Sequence, residues 1–343
     1  MPRLTEVYVA TLTRNVEDAG TSDPPALLFS RAGQDLFQVP LGDFDFARGR
    51  AGLHRINVEN RALDSEHLEL RLVATGDDAW APQSVIAWAI SGRLPRELVV
   101  PLGAVLDLAS PFTNSSDGMW LSTDSTEGVS TLALRQVGPG AVASRALRII
   151  VIAATEQYAG FSPGGGPGPA VELEDTGTEG PVTLSAGVPG QLMLSYLLPH
   201  TPQGDLGQGR ANFYVTKLPA PFSRADLNGG WFTLTIGTDD VWVPDYFAVF
   251  GLNTSFGQTD VLIPFVHAPQ ISLEHMSTDP TEGWESNELP NALVASAPIV
   301  HGSVVGDTFG GVNEAVPQGA TDNAPSPAAM DGAPAHVRAS RRR

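Results

Sequence analysis

The sequence contains no cysteine and a single lysine, Lys217. The first absence excludes disulfides, zinc–thiolate sites, thiol nucleophiles and iron–sulfur clusters. A fold with no bridges to lean on is expected in an intracellular or particle-associated setting. Basic residues are scarce altogether: 20 Lys and Arg face 38 Asp and Glu, a formal net charge of −18. Such a surface repels phosphate backbones, so nucleic acid is excluded as an expected partner. The same charge favours solubility and could attract cations.

Long apolar runs are also missing. The longest, Ile149 to Ala154, is the size of a strand, far short of the ~18 residues of a membrane span. No transmembrane segment is therefore expected. Met1 to Ala10 has one early Arg, then Glu6, and no apolar core, so it does not read as a signal peptide. A cytoplasmic or particle-associated location follows as the expectation. No stretch holds a helical period, and no phosphate-binding loop or dinucleotide fingerprint occurs. The seven histidines, His54, His67, His200, His267, His275, His301 and His336, include no pair at i, i+2 or i, i+4. A zinc-type pair is therefore absent from the sequence.

What is present is glycine, proline and repetition. The chain has 343 residues, 42% of them hydrophobic, with 36 Gly and 28 Pro. That mixture suits many short strands joined by tight turns. Asp77-Asp78-Ala79-Trp80-Ala81-Pro82 returns as Asp239-Asp240-Val241-Trp242-Val243-Pro244. Leu121-Ser122-Thr123-Asp124-Ser125-Thr126-Glu127-Gly128 returns as Met276-Ser277-Thr278-Asp279-Pro280-Thr281-Glu282-Gly283. Gly49-Arg50-Ala51 returns as Gly209-Arg210-Ala211, and Val142-Ala143-Ser144 as Val294-Ala295-Ser296. The matches keep their order and nearly their offset, which signals a duplicated unit.

The expectation is an all-β chain of two tandem, repeated sandwich or jelly-roll units over 3–144 and 145–300. A Gly/Pro-rich loop at 160–170 belongs to the second unit. Residues 301–343, rich in Ala, Pro, Gly and Ser, are expected to form a flexible tail. Glu6 to Thr13 alternates as a half-buried strand would. Further short strands are expected at Leu68–Ala74, Ser84–Ile90 and Leu98–Leu102. In the second unit they fall at Arg148–Ala154, Gln191–Leu197, Asn212–Leu218, Trp231–Ile236, Tyr246–Leu252 and Asp260–Val266.

Two repeated motifs carry chemistry. In Asp-Asp-x-Trp-x-Pro the aspartates cap a turn and the Trp plugs one end of the sandwich. Alternatively Asp77, Asp78, Asp239 and Asp240 are loop carboxylates for a hard cation such as Ca²⁺. In Ser-Thr-Asp-x-Thr-Glu-Gly a capped turn competes with a recognition site built on Asp124 with Glu127 and Asp279 with Glu282. Gly160-Phe161-Ser162-Pro163-Gly164 has the letters of a hydrolase elbow, but the prolines and glycines that follow leave no room for the helix it requires.

Unit one opens with a strand at Val7–Leu12 and continues with Ala19-Gly20-Thr21-Ser22-Asp23. Phe46-Ala47-Arg48-Gly49-Arg50 and a Trp80-to-Trp88 segment follow. In these features it resembles the PLAT/LH2 domain, the β-sandwich found beside lipoxygenase and lipase catalytic domains. Unit two keeps Gly209-Arg210 and Trp242 but lacks the Ala-Gly-Thr turn. The resemblance implies a module without chemistry of its own that binds proteins, membranes or Ca²⁺, with Asp18 and Asp23 as cation candidates.

The function expected is a non-enzymatic binding or assembly module whose sandwich loops recognise a protein, lipid or cation-dependent ligand. A structural subunit of a capsid, tube or spike is the alternative, and a hydrolase the third. A protein partner or self-assembly is expected, with peripheral membrane contact allowed. No cofactor is expected, apart from Ca²⁺.

Overall fold

Fully apolar stretches such as Val85-Ile86-Ala87-Trp88-Ala89-Ile90 and Ile149 to Ala154 show no polar alternation at all. A strand built from such a run needs a hydrophobic layer on each side. A computed structural model of the chain describes residues 3–42, 46–92, 98–106, 120–137, 144–155, 160–161, 171–172, 177–199, 206–207, 209–253, 261–269, 276–278 and 286–289. Asp279, Glu282, Ser162, the 301–343 segment and the Val-Ala-Ser repeat apart from Ser144 lie outside the described residues.

The chain is nearly all β. Its first half contains β1 (Leu4–Thr13), β2 (Ala26–Arg31), β3 (Gln34–Pro40), β4 (Ala51–Asn57), β5 (Leu68–Val73), β6 (Pro82–Ser91), β7 (Leu98–Leu106), β8 (Thr131–Ala133) and β9 (Arg135–Gln136). The second half contains β10 (Arg145–Thr155), β11 (Gly160–Phe161), β12 (Val171–Glu172), β13 (Val182–Val188), β14 (Gln191–Leu197), β15 (Ala211–Ser223), β16 (Trp231–Ile236), β17 (Pro244–Leu252), β18 (Leu262–Pro269) and β19 (Ser286–Leu289). Strands β2, β3, β4 and β13, and the short β8, β9, β11, β12 and β19, add to those expected from the sequence.

Each half is a two-layer antiparallel sandwich with the same strand order. In the first, β4-β1-β6-β7 faces β3-β2-β5-β8. In the second, β15-β10-β17-β18 faces β14-β13-β16-β19. Each encloses its own core: Val7, Val9, Leu27, Phe29, Leu72 and Val85 in one, Val151, Leu184, Phe232, Leu234 and Phe265 in the other.

With Arg55 and Lys217 among the residues left exposed on β4 and β15, the outer faces of β4-β1-β6-β7 and β15-β10-β17-β18 are largely covered. They pack on each other and bury a third core: Tyr8, Leu12, Ile86, Trp88 and Ile90 from unit one against Ile150, Ile152, Tyr246, Phe250 and Leu262 from unit two. Four layers therefore stack around three cores. The half-buried reading of Glu6 to Thr13 is corrected here: from Val7 to Thr13 every residue is buried, on both faces of the strand. The alternation in the sequence came from small or polar residues such as Thr11 that sit within the packing.

The two inner sheets are joined by one antiparallel pair, Ala51 with Ala211. These are the same residue of the duplicated Gly-Arg-Ala motif, so the junction lies on a pseudo-two-fold axis. Leu12 pairs with Ala51 as Ala154 pairs with Ala211, which makes Tyr8 and Ile150 equivalent, and their partners Trp88 and Phe250 likewise. Trp88 and Phe250 meet each other across the interface, with ring centroids 5.0 Å apart. The equivalent strands β7 and β18 also approach each other. The duplication thus produced an internal pseudo-dimer whose subunits share one chain.

Candidate functional site

The repeated tryptophans close equivalent ends of the two sandwiches. Trp80 and Trp242 are 1% and 0% exposed. Each indole N–H donates to the threonine that ends the first strand of its unit: Trp80 to Thr13 Oγ1 at 2.9 Å, Trp242 to Thr155 Oγ1 at 3.0 Å. Each tryptophan backbone pairs with the other repeated motif, Trp80 with Leu121 and Trp242 with Met276. A bulky apolar ring with one satisfied N–H can be buried at such a position. The two sequence motifs are therefore halves of one structural device, present twice.

Around each Trp the carboxylates fasten loops. Asp78 Oδ2 accepts from the Ser22 backbone N–H at 2.6 Å and from Ser22 Oγ at 2.9 Å. Its own N–H donates to Asp23 Oδ2 at 3.2 Å. The 21–23 and 76–78 loops are thereby stapled in both directions. Hydrogen bonds from Ser22 hold the Asp78 carboxyl below the usual carboxylate range. Asp23 lies directly over Gly76, where a Cβ would come within 1.9 Å of Asp23 Oδ2. In unit two Asp240 Oδ2 accepts from Thr178 Oγ1 and the Glu179 N–H, both at 2.9 Å. The hydroxyls of Ser122 and Ser277 donate at 3.0 Å to the carbonyls of Asp77 and Asp239 respectively.

Asp124 caps its own turn. Its Oδ1 accepts from Thr126 N–H and Thr126 Oγ1, both at 2.8 Å, and these bonds lower its pKa. The Glu127 and Gly128 amides donate to the Asp124 carbonyl. Asp18 adopts a left-handed backbone, φ 59°, which aspartate tolerates better than most residues. The structure thus brings Asp23, Asp77, Asp78 and the Asp124 turn together around one tryptophan, and Asp239 and Asp240 around the other. Among the described residues, no group of three His, Asp or Glu is placed to hold a metal ion.

Three features were not evident from the sequence. The first is a buried polar relay in the central core. Trp88 Nε1–H donates to Tyr246 OH at 3.1 Å, and Tyr246 OH lies 2.7 Å from His267 Nδ1. Indole is only a donor, so Tyr246 OH accepts from Trp88, and the tautomer of neutral His267 sets which of the phenol and Nδ1 donates in their shared bond. His267 within the apolar strand Leu262–Pro269 was the one signal available. The second is an open cleft of about 350 Å³ lined by Arg145, Leu192, Met193, Phe222 and Asp226 among others. Asp226 Oδ2 accepts from Ser223 N and Oγ, and Arg145 lies 4.0 Å from it. The third is the exposed edge of β14, described below.

No family model and no curated protein matches this chain. Among solved structures, an alpha toxin from Clostridium absonum is similar at 19% identity with a TM-score of 0.27. The match covers 39% of this chain and 32% of the toxin chain, so the chain spans about a third of that structure. Among the described residues no helix is long and apolar enough to cross a membrane.

Proposed function

We propose that the chain is a non-enzymatic binding or assembly module that recognises its ligand through the loops at the two tryptophan ends. The observation that supports it is the duplication of one stiff polar platform. Asp78 and Asp240 fasten exposed loops to one another at the ends of packed strands in both units. Rigid strands presenting loops are a common arrangement for recognition. The likeness of unit one to PLAT/LH2 domains supports the same class, with a protein, lipid or cation-dependent ligand.

The cation form of the proposal rests on Asp77 and Asp239, the neighbours of the stapling carboxylates. Bound Ca²⁺ relieves repulsion between clustered carboxylates and stabilises the folded state by mass action. Thermal melting with Ca²⁺ and with chelator tests it, together with cosedimentation on vesicles of phosphatidylcholine and phosphatidylserine. The expected result is a melting temperature that rises at Ca²⁺ on the order of 1 mM, no rise in Asp77→Asn with Asp239→Asn, and vesicle binding only with Ca²⁺. Superposed melting curves and no cosedimentation would overturn it. A second reading, a subunit of a capsid, tube or spike, is favoured by the apolar edge of β14.

A further inference from the structure

Among the described residues only four large hydrophobic side chains are exposed: Leu36, Val129, Leu192 and Leu197. Two of them lie on β14, the outermost strand of its sheet. An edge strand offers a row of unpaired backbone groups, and proteins usually blunt it with charge or proline. Strand β14, Gln-Leu-Met-Leu-Ser-Tyr-Leu, has neither.

The duplicated unit supplies an internal comparison. Strand β3 is the equivalent edge of unit one. Both hairpins begin alike, Arg31 pairing with Gln34 and Val188 with Gln191. Both outer strands then carry a bulge, at Leu36 and at Met193. Residue by residue, unit one has Asp35 where unit two has Leu192, and Pro40 where unit two has Leu197. The protecting charge and the protecting proline of one copy are both leucines in the other.

The bulge also decides where those leucines point. In a regular strand, residues five apart face opposite ways. The extra residue at Met193 shifts the register, so that Leu192 pairs with Gly187 and Leu194 with Ala186. Leu194 points into the core, 3% exposed, while Leu192 and Leu197 both lie on the outward face, 40% and 56% exposed. Leu198 N–H donates to Val182 O at 2.8 Å. By the antiparallel alternation, the Ser195 and Leu197 amides then point away from the sheet.

We propose that β14 pairs antiparallel with β14 of a second copy of this chain, extending one outer sheet across a two-fold axis. With the axis at Ser195, and the bulge residue unpaired, Leu192 of each copy falls opposite Leu197 of the other on the same face. The edge is thus self-complementary, as a two-fold interface requires. Overall charge of −18 on each chain opposes association, and β14 is an edge where two copies meet without bringing strand charges together. This surface lies apart from the tryptophan-end loops, so it stands or falls independently of loop recognition.

Light scattering and sedimentation of the full chain over a range of concentrations test the pairing. The expected result is a rise to twice the chain mass, abolished when the residues of unit one are put in place, Leu192→Asp with Leu197→Pro. The proline removes no ladder bond, because the Leu197 amide points outward. Leu192→Gln with Leu197→Gln is the second variant if the first fails to fold. In the unaltered chain, the Ser195 and Leu197 amides should exchange with solvent more slowly at high concentration than at low. A single-chain mass at every concentration, a doubled mass that a folded variant retains, or amide exchange independent of concentration would each overturn the proposal.

Discussion

Among the described residues, two histidines are buried. His54 is 3% exposed and His267 8% exposed. Burial is the main cause that pushes each pKa down, to about 4. For His267 the neighbouring charges oppose each other, Glu6 raising the value and Arg55 lowering it. The unfolded chain protonates these rings near the ordinary value of about 6.5. Below that pH the unfolded state binds protons that the folded state refuses, so stability declines as pH falls from about 6.5 towards 4. Each ring accounts for roughly 3 kcal/mol over that window, on the order of 1.4 kcal/mol per pH unit. Urea unfolding at a series of pH values should show this decline, and His267→Asn should remove about half of its slope. A stability profile flat from pH 7 to 4.5 would contradict the assignment.

At the scale of elements, the decisive fact is that β1, β6, β10 and β17 are buried on both faces over most of their length. Every residue of β6 is buried. On a half-solvated sheet Ile86 would be a surface residue, and truncating it would change stability by no more than about 0.5 kcal/mol. In the central core it is 0% exposed, and Ile86→Ala should cost about 2–5 kcal/mol. The urea midpoint measures the difference directly. The sandwich ends were legible from the chain alone, because Asp, Trp and Pro act through local turn chemistry and one bulky ring. Burial of the opposite sheet face was not, since a run such as Ile149–Ala154 reads the same whichever layer covers it.

At the scale of the whole molecule, the pseudo-two-fold arrangement makes the units interdependent. Separating them would uncover Tyr8, Ile86, Trp88 and Ile90 on one side and Ile150, Ile152, Tyr246 and Phe250 on the other. A contiguous apolar surface of that kind drives association or collapse. Residues 1–144 expressed alone should therefore bind a hydrophobic dye or pair with another copy through this face, whereas the full chain should bind no dye. Fluorescence titration and light scattering decide it, and a well-behaved monomeric unit one without dye binding would contradict the shared core.

Duplication, the all-β class and the turn motifs are legible in the chain, because each depends on residues close together or on simple repetition. The sequence also held the asymmetry of the two edges, Asp35 and Pro40 against Leu192 and Leu197, without showing that these positions correspond. Long-range packing alone sets the second faces of the inner sheets against each other and brings Ala51 to Ala211. It also decided that Asp78 and Asp240 accept hydrogen bonds from loops far away in sequence, and that a bulge at Met193 turns Leu192 to the side of Leu197. The physical reason is the same in each case. Strand side chains alternate with a fixed period, but what covers each face, and where a register slips, is set by contacts between distant segments that no local pattern records.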